Sequence, residues 1–137
     1  MLFRSRLDLA ARISKALPID LFPPAVAQGA LGLVTWAGDA AISSVVAQLD
    51  HAPSRIAVTA ERVLLQHLDG GCQIPLGAQA FLEGSALVLT AQACALDGGR
   101  AVSVTQQGAA ANPEGLGVMV AEEMIARGAR ELLKVTP

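Results

Sequence analysis

The stretch Asp69-Gly70-Gly71-Cys72-Gln73-Ile74-Pro75-Leu76-Gly77 separates two kinds of sequence pattern. Apolar residues before it recur at helical spacing, whereas those after it alternate as they do in β-strands. Glycine has no Cβ to crowd its neighbours, so a cysteine after two glycines is expected in an open loop. A thiol there can carry a bulky group, although a lone cysteine is also commonly a small buried hydrophobe. The stretch therefore predicts a helix-to-sheet junction that holds a candidate functional thiol.

Four kinds of cysteine chemistry compete for Cys72. A nucleophile needs a base and an oxyanion site, and His67 is the nearby base in sequence. A metal site lacks ligands at the usual spacing, because Cys94 and His51 are distant. A redox thiol has no resolving cysteine at motif spacing. Covalent attachment of a cofactor needs only an exposed thiol on a flexible loop beside a cleft, and the glycine-flanked loop offers that.

The composition excludes several function classes. The chain has 137 residues, of which 53% are hydrophobic, and a formal net charge of -2. A basic stripe is missing and aromatic residues make up only 3%, which argues against nucleic-acid binding. No apolar run approaches the ~18 residues of a membrane span. Nothing in the sequence suggests secretion, so a cytoplasmic, reduced protein without a metal is expected.

The first third of the chain has helical and extended patterns broken by proline. It predicts a helix at 6–17, an irregular segment at 18–28, a buried strand at 30–36 and a helix at 39–49 capped by Asp39. The run Asp50-His51-Ala52-Pro53 breaks this last helix and is the best candidate for a domain boundary. We interpret His51 as a structural residue.

The remainder of the chain has a helix, three strands and two further helical segments. It predicts a helix from about Pro53 to Leu68, strands at 76–82, 86–94 and 101–107, a helix from Asn112-Pro113 to Gly128, and a helical piece at 129–134. This order indicates an α+β fold, a three-stranded antiparallel sheet with its helices on one face. Cys94 falls late in the middle strand and is expected to pack rather than react.

Four motifs of the chain resemble motifs of the hydroxymethylbilane synthases, also called porphobilinogen deaminases, and they occur in the same order as in that family. The loop that holds Cys72 is similar to the family's cofactor-attachment loop. The other three are Pro24-Ala25-Val26-Ala27-Gln28-Gly29-Ala30-Leu31-Gly32, Val58-Thr59-Ala60-Glu61-Arg62 and Gly128-Ala129-Arg130-Glu131-Leu132-Leu133. The resemblance covers nearly the whole chain but only the C-terminal part of a family member. It implies that residues 1–50 are partial α/β segments of the first two domains, and that 51–137 form the cofactor-attachment domain.

The resemblance also implies roles for five residues. Cys72 carries a dipyrromethane through a thioether, with Gly71 beside it, and Arg6 binds carboxylates of the cofactor or substrate. Gln28 and Arg62 are the further candidates for substrate binding, since amides and guanidinium groups donate to carboxylates. The family's acid–base carboxylate lies in its N-terminal part, so no catalytic residue is expected in this chain.

Two departures from the family pattern lie close to Gln28. The family usually has glycine where this chain has Ala27, which would be strained if that position needs a positive φ. It has an acidic residue where this chain has Val34. Glu61 and Arg62 resemble the family's Glu-Arg pair near the domain junction, and we interpret the pair as junction residues rather than as a charge pair on a helix surface.

The activity that the resemblance implies belongs to tetrapyrrole and haem biosynthesis. The family condenses four porphobilinogen units head to tail on the dipyrromethane primer, with loss of ammonia, and releases hydroxymethylbilane. The expected partners are porphobilinogen, the growing pyrrole chain and the N-terminal domains, in a full-length protein that is a monomer. This chain is expected to be an inactive C-terminal fragment. A non-enzymatic interaction module and one subunit of a split enzyme remain alternatives.

Overall fold

The computed structural model describes residues 7–69 and 74–133. Its helices are α1 (Ala40–Ala47), α2 (Ala52–His67), α3 (Pro113–Ala126) and α4 (Ala129–Leu132), and its strands are β1 (Leu76–Glu83), β2 (Ala86–Cys94) and β3 (Ala101–Ala109). The strands form one antiparallel sheet in the order β1-β2-β3. The predicted α+β class with a three-stranded antiparallel sheet is confirmed.

The sheet is a regular meander. Pairing along β1 and β2 runs from Leu76 with Ala93 to Glu83 with Ala86, and β3 pairs with every residue of β2. Gly84, at the turn between β1 and β2, has a φ of +61°. A glycine adopts such an angle without the steric cost that a side chain brings, which explains the tight turn.

One face of the sheet is covered by α2, α3 and α4. The central strand alternates as the sequence pattern predicts, and its inner residues Leu87, Leu89, Ala91 and Ala93 are fully buried. Helices α2 and α3 also pack closely on each other at Gly117, where an added Cβ would lie 2.6 Å from the carbonyl oxygen of Ala60. The core of the described residues therefore runs from Ala60 to Leu133.

Side chains cap three of the described helices, α1 and α3 at the predicted residues and α2 at His51, which was not predicted as a cap. Asp39 Oδ1 accepts the N–H of Ile42 at 2.9 Å at the start of α1. Asn112 Oδ1 accepts the N–H of Gly115 at 3.0 Å at the start of α3. His51 caps α2, since its Nδ1 accepts the N–H of Ser54. These contacts satisfy backbone donors that lack a partner in the first helical turn.

Two elements predicted in the first third are wrong. The helix predicted at 6–17 is reduced, within the described part, to a 3₁₀ turn at Ala10–Arg12. The strand predicted at 30–36 has no strand pairing, and its apolar side chains are exposed, 90% for Leu31 and 97% for Val34. A short helix or a strand needs a packing or pairing partner, and no described element covers these two segments.

The chain before α1 reaches the sheet at the edge of β1. Ala25 forms an isolated antiparallel bridge with Gly77, and the N–H of Ala78 donates to the carbonyl of Pro24 at 2.8 Å. An added Cβ at Gly77 would overlap the carbonyl oxygen of Pro23. The glycine therefore lets the segment 23–25 lie directly against β1.

Candidate functional site

The two ends of the Cys72 loop are fixed at one end of the α/β layers. Helix α2 is followed by Leu68 and by Asp69, whose φ is +55°. The chain returns at Ile74, whose carbonyl accepts the N–H of Leu76 at 2.8 Å, and Pro75 accepts the N–H of Cys94 at 3.1 Å. These bonds set where the loop enters the sheet, and the N–H of Asp69, which donates to Gln66 at 3.1 Å, marks where it leaves the helix.

Three of the predicted site residues lie outside the described part of the chain. They are the attachment residue Cys72, its neighbour Gly71 and the carboxylate-binding candidate Arg6. Their roles remain predictions.

A small cavity of about 220 Å³ lies at the base of the loop. Its lining includes Asp69 and Ile74, which flank the loop, and Arg130 from α4. Arg130 Nη2 lies 3.8 Å from Asp69 Oδ2, and both side chains are exposed, so the ion pair is weak in water. Arg130 is a guanidinium beside the loop that sequence reasoning did not nominate as a site residue.

Glu61 is a buried carboxylate that joins two distant parts of the chain. Its side chain lies inside the fold, with 7% of the residue exposed. Oε2 accepts the N–H of Ala27 at 2.7 Å, and Oε1 accepts the N–H of Ala80 on β1 at 2.8 Å. Burial raises the pKa of Glu61, and the two backbone hydrogen bonds partly oppose this rise. Glu61 forms no salt bridge within the described part of the chain.

Ala27 has a φ of +58°, in the left-handed region. The resembled family usually has glycine at this position. An alanine with a positive φ is strained because its Cβ lies close to the following carbonyl oxygen. Hydrogen bonds surround the residue, since Gln28 N–H donates to Ala25 and Ala30 N–H donates to Ala27, both at 3.1 Å. The strained conformation is therefore held by a turn as well as by Glu61.

Gln28 and Arg62 are both exposed. They directly follow Ala27 and Glu61, the two residues joined by a hydrogen bond. Gln28 Oε1 accepts the N–H of Ala25 at 3.3 Å, so its amide nitrogen stays available to donate. Arg62 forms no salt bridge within 7–69 and 74–133. Their sequence neighbours Ala27 and Glu61 are in contact, and Arg62 but not Gln28 is among the residues that line the larger cleft.

Arg62 lines a cleft of about 620 Å³ between the segment 29–35, α1 and the start of α2. The cleft also contains Arg55, whose Nε donates to both carboxylate oxygens of Asp50 at 3.1 and 3.0 Å. The charge of Arg55 is thereby balanced, whereas Arg62 forms no salt bridge with any residue in the described part of the chain. The cleft can therefore accept an anionic group at Arg62.

Other kinds of site find no support in the described residues. No group of three His, Cys, Asp or Glu side chains in 7–69 and 74–133 is placed to hold a metal ion. None of the helices described here has both the length and the apolar character that crossing a bilayer demands. Cys94 is half-buried at the end of β2, on the sheet face opposite to that of Leu87 and Leu89.

Comparison with known proteins gives a consistent result. The family described as "Porphobilinogen deaminase, C-terminal domain" matches residues 55–126. A porphobilinogen deaminase of Desulforudis audaxviator is 44% identical over 93% of this chain, which corresponds to 41% of that protein. One from Roseiflexus sp. is 44% identical over 93% of the chain and 42% of the protein. One from Moorella thermoacetica is 39% identical over 94% of the chain and 41% of the protein.

These matches cover only part of the length of each relative. It spans about two-fifths of the length of the curated relatives that it resembles. The family match includes nearly all of α2, the three strands and all of α3, which build most of the core and flank the Cys72 loop. The chain belongs to the porphobilinogen deaminase family and corresponds to the C-terminal portion of that enzyme.

Proposed function

We propose that this chain is the cofactor-carrying portion of a hydroxymethylbilane synthase, a transferase of tetrapyrrole biosynthesis. The observation that carries the proposal is the Gly70-Gly71-Cys72 sequence between a helix and a strand whose ends are both fixed in the fold. A thiol on such a loop can hold a covalent group at the edge of the domain while the core stays unchanged. Residues 51–137 would form this domain, and residues 1–50 would belong to the first two domains.

The donor groups near the loop and the cleft fit a dipyrromethane. That group and the porphobilinogen units carry acetate and propionate side chains, which guanidinium and amide groups bind well. Arg62 and the amide nitrogen of Gln28 are exposed and available to donate, and Arg130 lies at the loop base. We propose that Cys72 holds the group by a thioether with Gly71 giving it room, and that Arg6, Gln28 and Arg62 bind carboxylates.

A dipyrromethane held at Cys72 would supply a free pyrrole end for the joining of porphobilinogen units, with loss of ammonia. The protein must hold that end, bind each incoming carboxylate and provide an acid–base group. Glu61 does not suit this last task, because both its oxygens accept backbone hydrogen bonds inside the fold. We propose that the acid–base carboxylate comes from the N-terminal part of the enzyme.

The exposed apolar side chains in the first third of the chain support contact with the N-terminal part of the enzyme. Leu31, Val34 and Trp36 are exposed in the segment before α1, and Ile42 and Val45 are exposed on α1. Soluble domains rarely leave a contiguous surface of this kind uncovered. We propose that the N-terminal domains of the enzyme cover it, and that turnover requires them.

Reconstitution tests the proposal. The chain would be mixed or produced together with the N-terminal portion of a related porphobilinogen deaminase, and consumption of porphobilinogen would be measured. We expect activity from the pair and none from either part alone. The variant Cys72→Ser should abolish it and the matched variant Cys94→Ser should not. Activity that persists in Cys72→Ser would overturn the assignment of the attachment residue.

A further inference from the structure

The contact of Glu61 with Ala27 and Ala80 has a consequence for the candidate substrate residue Gln28. The two oxygens of one carboxylate bind two peptide N–H groups that lie on different elements, the turn at 25–30 and the strand β1. A buried carboxylate bonded to two backbone donors is costly to move, because each lost bond leaves a desolvated polar group unpaired. Glu61 thus holds the Ala27 end of the turn to β1, while the bridge between Ala25 and Gly77 holds its start.

The turn needs such a bond because its own conformation is unfavourable. Ala27 has a φ of +58°, which is unfavourable for an alanine because its Cβ approaches the following carbonyl oxygen. The hydrogen bond from Ala27 N–H to Glu61 is formed by the strained residue itself. Releasing the carboxylate would remove a bond that favours the left-handed angle, and the turn could relax.

Gln28 is the residue directly after Ala27, so its direction depends on the φ and ψ angles of Ala27. Its side-chain oxygen is held by the N–H of Ala25 within the same turn, and its amide nitrogen is left to donate outward. We propose that Glu61 is a positioning residue, which acts through Ala27 to hold the Gln28 amide in a fixed direction relative to β1. This inference rests on the proposed function for the role of Gln28 but not for the existence of the contact.

Amide exchange measured by NMR on the 137-residue chain tests the inference without any assay of activity. In the unchanged chain, the Ala27 amide should exchange more slowly than that of Leu33, which makes no backbone hydrogen bond within the described residues. The variant Glu61→Gln keeps one acceptor oxygen and replaces the other with a donor. At least one of the Ala27 and Ala80 amides should then exchange about tenfold faster or more.

Two controls separate positioning from a general loss of stability. The Leu89 amide, in the core of the sheet, reports general stability, so in Glu61→Gln the Ala27 or Ala80 amide should speed up by a larger factor than Leu89 does. The side-chain amide resonances of Gln28 should also shift. The exposed residue Glu122 on α3 provides the matched variant Glu122→Gln. This variant should change neither the exchange rates of the three backbone amides nor the side-chain resonances of Gln28.

The inference is overturned if, in a folded Glu61→Gln, the Ala27 and Ala80 amides keep their exchange rates and the Gln28 side-chain amide keeps its resonances. It is also overturned if the Ala27 amide of the unchanged chain exchanges as fast as that of Leu33, a result that needs no variant to fold. Neither outcome depends on whether Cys72 carries a cofactor, so failure here and failure of the proposed function are distinguishable.

Discussion

The peptide N–H of Ala27 lies 2.7 Å from Glu61 Oε2, although the two residues are 34 positions apart in the sequence. The contact ties the turn before α1 to the helix that leads into the Cys72 loop. It joins a residue with a left-handed backbone angle to a buried carboxylate. Both features are unfavourable alone, and each is stabilised by the bond to the other.

Replacing Ala27 with glycine should stabilise the chain. The change removes the Cβ that is strained at a φ of +58°, which is worth about 1–2 kcal/mol, but it also makes the unfolded chain more flexible. We expect a net gain of up to about 1 kcal/mol in the free energy of unfolding, measured by urea denaturation. The control Ala57→Gly, inside α2, should instead lose about 1 kcal/mol. A loss of stability in Ala27→Gly would show that the angle is not a source of strain.

Gly117 should not tolerate a side chain. An added Cβ would lie 2.6 Å from the carbonyl oxygen of Ala60 and 2.9 Å from Val63 Cβ, so α2 and α3 would have to separate. We expect Gly117→Ala to lower the free energy of unfolding by about 1–3 kcal/mol, measured by denaturant titration. Gly32 has no atom within 4 Å of the corresponding position, and Gly32→Ala should be close to neutral. Equal stability of the two variants would contradict the packing described here.

Stability should depend on pH through Glu61. Burial raises the pKa of this carboxyl in the folded chain, so the folded state binds the proton more tightly than the unfolded state does. The resulting contribution to stability is fully present below the ordinary glutamate pKa. It is lost as the pH rises through the raised pKa.

The free energy of unfolding of the unchanged chain minus that of Glu61→Gln isolates this contribution. We expect the difference to fall as the pH is raised between the ordinary and the raised pKa, and to be constant outside that window. The free energy of unfolding of the unchanged chain minus that of Glu122→Gln should not fall in this pH window, because both chains keep Glu61. A difference that increases with pH would mean that the two backbone hydrogen bonds outweigh burial.

Sequence patterns predicted the second part of the chain well because its elements are determined by local signals. The predicted strand at 86–94 coincides with β2, and the start of α3 follows from an asparagine cap and Pro113. The side-chain alternation of β2 decides which residues face the helices. These features need only neighbouring residues.

The first part was predicted poorly because its apolar pattern refers to packing partners that the described residues do not supply. An apolar run such as 30–36 has the composition of a buried strand, yet it is neither paired nor buried here. Pairing is a relation between two segments, and no pattern within one segment can provide it.

The candidate site was predictable in its residue types and not in its contacts. Comparison of motifs nominated Gln28 and Arg62, which directly follow the bonded residues Ala27 and Glu61 in the sequence. No local pattern could show that Glu61 would bond to Ala27, because that contact depends on how the turn meets β1. Arg130 was missed for the same reason, since only the fold brings α4 to the base of the loop.

The intact mass of the denatured chain tests the central claim most directly. The chain would be purified after production together with the N-terminal portion of a related porphobilinogen deaminase, and compared with its Cys72→Ser and Cys94→Ser variants. We predict a mass increment of two linked pyrrole units in the unchanged chain and in Cys94→Ser, and its loss in Cys72→Ser. A bare mass in all three, or an increment that survives in Cys72→Ser, would contradict the assignment of Cys72 as the residue that carries the cofactor.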